Sequence, residues 1–101
     1  MSVEARFDEL IHSPLRLRIC GMLRAGSGID FGVLRDTLGV SDATLSKHLK
    51  LLVAAGLVTV AKTSSAARTD ARRVAWVSLT PEGTAAFDSH VAALRAIALG
   101  E

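Results

Sequence analysis

The chain is short of aromatic residues, of cysteine and of net charge. Its aromatics are Phe7, Phe31, Phe87 and Trp76, with no tyrosine, so the core has to be built from Leu, Val, Ile and Ala. Cys20 is the one cysteine. That excludes an internal disulfide and fits a reducing cytoplasm. No apolar run approaches the roughly 20 residues that cross a bilayer. Glu4, Arg6, Asp8 and Glu9 interrupt any signal-peptide core at the start. The expectation is a cytoplasmic protein with no membrane partner.

Catalytic and metal-binding patterns are equally scarce. His12, His48 and His90 stand far apart, and there is no H-x-x-x-H, C-x-x-C or C-x-C. Gly26-x-Gly28 is too short to be a phosphate loop, and the carboxylates gather in no one segment. Cys20 follows Ile19 in an apolar helical phase, which reads as core. The sequence therefore points away from an enzyme, with no cofactor and no metal.

At 101 residues the chain reads as one domain, 1–101, with a real but modest core. Net charge is only +2, but its distribution is uneven. Segment 41–73 holds six basic residues against Asp42 and Asp70, a balance of +4; the rest holds six basic against eight acidic, or −2. A basic footprint on a near-neutral body fits a polyanionic partner.

The apolar spacing predicts a first helix over 3–12, with Val3, Phe7, Leu10 and Ile11 on one face. Ser13 and Pro14 open a second helix through about Arg24. Asp30 caps a third over 31–38, and Gly39 closes it. Ser41 then caps a fourth, running to about Ala55, with Leu45, Leu49 and Leu52 inward. Two short helices joined by Gly39-Val40-Ser41 make a helix-turn-helix over about 30–55. Two β-rich runs follow, ending at Leu79, and read as a hairpin over about 57–79 with a long tip. Thr80, Pro81 and Glu82 open a last helix, 81–99. This is a mainly α fold with a small β-hairpin wing: a winged helix-turn-helix with a three-helix core and a C-terminal helix suited to dimerisation.

The helix opening at Ser41 is the candidate reader. A recognition helix enters the major groove with its N-terminal residues nearest the base edges. Ser41, Ala43 and Thr44 are small enough to approach bases. Lys47, His48 and Lys50 suit phosphates or guanine. Asp42 is expected to help the helix start rather than touch DNA. In the wing, Lys62, Arg68, Arg72 and Arg73 suit a phosphate backbone or a minor groove. The last helix carries a wide apolar arc that includes Val91, Leu94 and Ile97. Together with Phe7, Leu10 and Ile11 it offers a dimer interface. On these residues alone, a protein-interaction module and a ligand- or metal-responsive sensor remain alternatives.

Four stretches carry a family resemblance: F-D-E-L-I-H-S-P-L-R-L-R-I at 7–19, D-F-G-V-L-R-D-T-L-G-V-S at 30–41, L-S-K-H-L-K-L-L-V-A-A-G-L-V at 45–58, and V-S-L-T-P-E-G at 77–83. In this order they resemble the small winged-helix transcriptional regulators of the ArsR/MarR type, in particular the compact winged helix DNA-binding group. The resemblance implies a homodimer, commonly a repressor, that binds double-stranded DNA and joins through its terminal helices. Ser41 to Lys50 would be its recognition segment and Lys62 to Arg73 its wing. The cysteine pair of the metal-sensing members is missing, and Ala43-Thr44 stand where some relatives carry Gly-Asn. The effector, if there is one, is unknown; it would bind at the dimer seam or between the seam and the reading helices.

Overall fold

The computed structural model describes residues 3–64 and 73–101. Arg68 and Arg72 lie outside the described residues, and Arg73 is described by its backbone only. Four helices and three strands follow in the order α1 (Pro14–Ala25), β1 (Ile29–Asp30), α2 (Phe31–Leu38), α3 (Asp42–Ala54), β2 (Val58–Ser64), β3 (Arg73–Leu79) and α4 (Pro81–Leu99).

The helix starts are set by side-chain oxygens that accept otherwise unpaired backbone N–H groups. Ser13 accepts from Arg16, Asp30 from Gly32 and Val33, Ser41 from Thr44, and Thr80 from Gly83. Gly39 ends α2 in the left-handed region at φ 68°, which glycine enters without steric cost. That sharp stop lets Val40 and Ser41 turn the chain straight into α3.

The sheet order is β1-β3-β2, antiparallel throughout. Val58 faces Leu79, and the ladder runs out to Ser64 opposite Arg73. Val77, at the centre, is fully buried, while Trp76 on the other sheet face is about half exposed. The expected hairpin is therefore present. A short strand the sequence did not suggest, β1, joins its outer side by pairing Ile29 with Val77 and Asp30 with Trp76.

The core is aliphatic, as the lack of aromatics required. Ile11, Ile19, Leu23, Leu34, Leu45, Leu52, Val58 and Val77 are its largest buried aliphatic side chains, with Cys20 among them. Burial, and secondarily Asp8, push the Cys20 thiol up to about 11. The group is thus a protonated packing residue.

The L-T-P-E-G stretch has a specific structural task. The Thr80 hydroxyl donates to the Gly56 carbonyl at 2.7 Å, and its backbone N–H donates to the Leu57 carbonyl at 3.0 Å. Gly83 packs so closely that a Cβ there would collide with the same Leu57 carbonyl oxygen. The start of α4 is thereby fastened to the junction between α3 and β2.

Residues 3–12 are not a helix. They carry no regular secondary structure to Asp8, and one turn closes at residues 9–11. Asp8 explains the change. Its carboxylate accepts from the N–H groups of Leu10 and Ile11 at 2.9 and 3.0 Å, and its carbonyl accepts from His12. One turn is capped, and Ser13-Pro14 then prevents its continuation into α1. Before that turn the strap is held by α4 instead: Arg6 N–H donates to the Ser89 carbonyl and Asp8 N–H to His90 Nδ1, both at 3.0 Å. A helix this short is marginal without tertiary support, and the support here favours the non-helical form. Ile11 is also displaced from its expected role. It is wholly buried in the chain's own core, so it cannot face a second copy.

Candidate nucleic-acid interface

α3 presents three different sides. Leu45, Leu49 and Leu52 are buried. At about 100° per residue, Ala43, Lys47, Lys50 and Ala54 fall on the opposite side, and all four are exposed. The outer face is thus small at its start and basic further along.

The first turn is tightly organised. Ser41 Oγ accepts from the Thr44 N–H at 3.1 Å and donates to Thr44 Oγ1 at 3.0 Å. Its hydroxyl proton is thus committed to the cap, leaving the Thr44 hydroxyl proton able to donate outward. Asp42 pairs with Arg35 at 2.7 Å, and Arg35 also holds Asp36 at 2.9 Å. The two carboxylates hold the guanidinium even more firmly protonated than usual. Asp42 therefore faces α2 and aids the helix start, as its position suggested.

The two flanks of α3 meet different neighbours. On one, Ser46, Leu49, Lys50 and Val53 line a cleft of about 400 Å³ against Val60, Lys62 and Ala75 of the wing, with Phe31 and Ala54 completing it. The structure thus brings Lys50 and Lys62, far apart in sequence, to one cleft. On the other flank, His48 is half-buried and its Nδ1 lies 2.9 Å from the Arg16 guanidinium of α1. Burial, then the charges of Arg16 and Lys47, lower the His48 pKa below its ordinary value. His48 is therefore a neutral ring tied to the body, unlike the exposed Lys47 beside it.

His90, weighed in the sequence only as a metal ligand far from the other histidines, lies beside His12 in the structure. It is fully buried in α4. Its Nδ1 accepts the Asp8 N–H, so Nε2 carries the proton and faces His12 Nδ1 at 3.3 Å. The Phe7 ring packs against both imidazoles. His90 shares a helix face with Gly83, Ala86, Phe87 and Ala93, and that spacing is the signal that could have marked it as a core histidine.

Of the remaining expected interface residues, Leu10 packs partly into the core. Val91 and Leu94 are half-buried, Phe7 is partly exposed, and Ile97 is 72% exposed. Among the described residues, no group of three or more His, Cys, Asp or Glu could hold a metal ion. No described helix is long and apolar enough to cross a membrane.

The family model for the winged helix DNA-binding domain matches residues 15–98. The chain belongs to that family. It is similar in structure to the transcriptional regulator homologue protein from Pyrococcus horikoshii OT3, at 22% identity and a TM-score of 0.82, covering 92% of this chain and 88% of the other. The transcriptional repressor BigR from Xylella fastidiosa matches at 27% identity and a TM-score of 0.60, over 91% of this chain and 79% of its own. A MarR-family transcriptional regulator from Silicibacter pomeroyi matches at 29% identity and a TM-score of 0.60, over 90% of this chain and 60% of its own. No curated protein sequence matches. The winged-helix fold expected from the ArsR/MarR resemblance is thus the fold of this chain, and its relatives are transcriptional regulators.

Proposed function

We propose that this winged-helix domain acts as a homodimeric transcriptional regulator, a repressor that occupies a palindromic operator in double-stranded DNA. The observation that carries the reading is the outer face of α3. Small, exposed Ala43 at its start, with half-buried Thr44 on the adjoining flank, is followed by exposed Lys47 and Lys50, and Lys62 of the wing stands across one cleft from Lys50. Ala43 and Thr44 read base edges, and Lys47, Lys50 and Lys62 neutralise phosphates. The Ser41 hydroxyl organises the helix start. Arg68, Arg72 and Arg73 belong to the proposal on sequence grounds, as wing cations.

Dimerisation is supported by the apolar surface along α4. Ile97 and Leu99 are largely exposed near its C-terminal end, and Val3 and Phe7 are exposed on the strap that crosses it. A second copy would cover these, with Val91 and Leu94 at the edge. Two-fold pairing would set two α3 helices about 34 Å apart, one turn of DNA.

A salt titration against random-sequence duplex tests the reading. Affinity should fall log-linearly with salt, with a slope of about −0.9 per phosphate contacted. Lys47→Ala should weaken binding equally on all sequences and reduce the slope by about one contact, while Thr44→Ala should alter preference between sequences. Failure to hold any duplex at low salt would instead favour the protein-interaction alternative.

A further inference from the structure

Arg16 of α1 and His48 of α3 are 32 positions apart in sequence and meet side chain to side chain. The guanidinium carries donors only, so at 2.9 Å His48 Nδ1 must accept. The ring proton then resides on Nε2, on the far edge of the ring from Arg16. Arg16 is itself held in place, because its Nε donates to the Leu10 carbonyl. That carbonyl belongs to the turn that the Asp8 carboxylate caps. The guanidinium is thus fixed between the N-terminal turn and the reading helix. His48 is half-buried and lies one turn after Thr44 on the same side of α3.

We propose that Arg16 is a positioning residue of the DNA interface: it holds His48 in the neutral, Nε2-protonated form, and this single N–H donates to a phosphate oxygen of bound DNA. The inference rests on the DNA-binding reading above and adds a contact of a different kind from the lysines. A neutral donor strengthens the complex without releasing a counterion, so it contributes affinity but no salt dependence. The charged groups that bear on the ring are Arg16 from α1 and Lys47 on α3 itself, and both oppose its protonation. Near neutral pH the donor therefore stays uncharged.

Imidazole nitrogen NMR on the intact protein tests the first half. Wild type should show His48 as one tautomer, protonated at Nε2. Arg16→Met should mix the tautomers and move the His48 titration upward. Duplex binding across a salt series tests the second half. His48→Ala should weaken binding about tenfold, the worth of one hydrogen bond, with the salt slope unchanged. His48→Gln should restore most of the loss, because its amide N–H can stand near the place of Nε2–H. Arg16→Met should gain a pH dependence, binding more tightly as pH falls from about 8 to about 6, where a released histidine takes up charge.

A His48 protonated at Nδ1, or wild-type affinity in His48→Ala, overturns the proposal. Should Arg16→Met fail to fold, the wild-type tautomer and the His48→Ala and His48→Gln pair still decide it. A wild-type protein that holds no duplex at low salt overturns the DNA reading itself, and with it the phosphate contact. That outcome is distinct from a protein that binds DNA and is indifferent to His48.

Discussion

Replacing Gly83 by alanine should destabilise this protein, although the same change in an ordinary helix would stabilise it. In an exposed helix interior, Gly→Ala contributes about 1 kcal/mol of stability. Gly83 is buried in the first turn of α4, and the added Cβ would collide with the Leu57 carbonyl oxygen. The obstacle is backbone, which cannot swing aside as a flexible side chain would. Overpacking of this kind costs about 3 kcal/mol, the upper end of its usual range. The Leu57 carbonyl also accepts the Thr80 N–H at 3.0 Å. Moving it far enough to admit a methyl group weakens that bond, at about 1 kcal/mol.

Set against the helix gain, the net loss is about 3 kcal/mol. For a domain of this size that lowers Tm by about 12–24 °C. Thermal unfolding followed by circular dichroism measures it. Because the displaced junction carries β2 toward the wing, duplex affinity should fall as well. A Gly83→Ala protein as stable as wild type, or more so, would refute the argument that this close approach requires glycine.

Two further predictions concern α4. Burial first, and His12 second, hold His90 below its ordinary pKa of 6.5, so the unfolded chain takes up a proton before the folded one as pH falls. The His90 contribution is complete above about pH 6.5 and is lost progressively below it, until the depressed native pKa is reached. Urea midpoints at several pH values should show this decline in wild type, and less of it in His90→Gln; equal declines would remove His90 from the account. His48, lowered in the same direction, adds to the wild-type trend and is common to both proteins. Ile97, 72% exposed, should tolerate Glu within the protomer but not across a dimer seam. Ile97→Glu should therefore halve the mass measured by sedimentation, and an unchanged mass would move the seam elsewhere.

Much of this architecture is legible in the sequence because the punctuation is local. Asp30, Ser41 and Thr80 each cap a helix within three residues, and Gly39 stops α2 by its own conformation. These signals place α2, α3 and α4 almost to the residue. The N-terminal strap departs from its helical spacing for the opposite reason. Val3, Phe7, Leu10 and Ile11 have helical spacing, but the bonds that decide their conformation reach Ser89 and His90 at the other end of the chain. A strand of two residues such as β1 has too few positions for any period.

The candidate site divides in the same way. The small start of α3, its exposed lysines and the helix-aiding role of Asp42 follow from local spacing. The Arg16–His48 contact and the shared cleft of Lys50 and Lys62 depend on how elements pack, which no period reports. Local spacing groups His48 with Lys47 and Lys50 as a contact to phosphate or guanine, and nothing in it reports that the ring is fastened to Arg16 of α1.

Selection of bound duplexes from a random pool tests the central claim most directly, because it reads DNA binding, two-fold symmetry and the recognition face together. The account predicts a palindrome whose half-sites lie one helical turn apart, about 10 base pairs centre to centre, with Thr44→Ala changing the preferred bases inside each half-site. Recovery of no enriched sequence, or of a motif without two-fold symmetry, would contradict it.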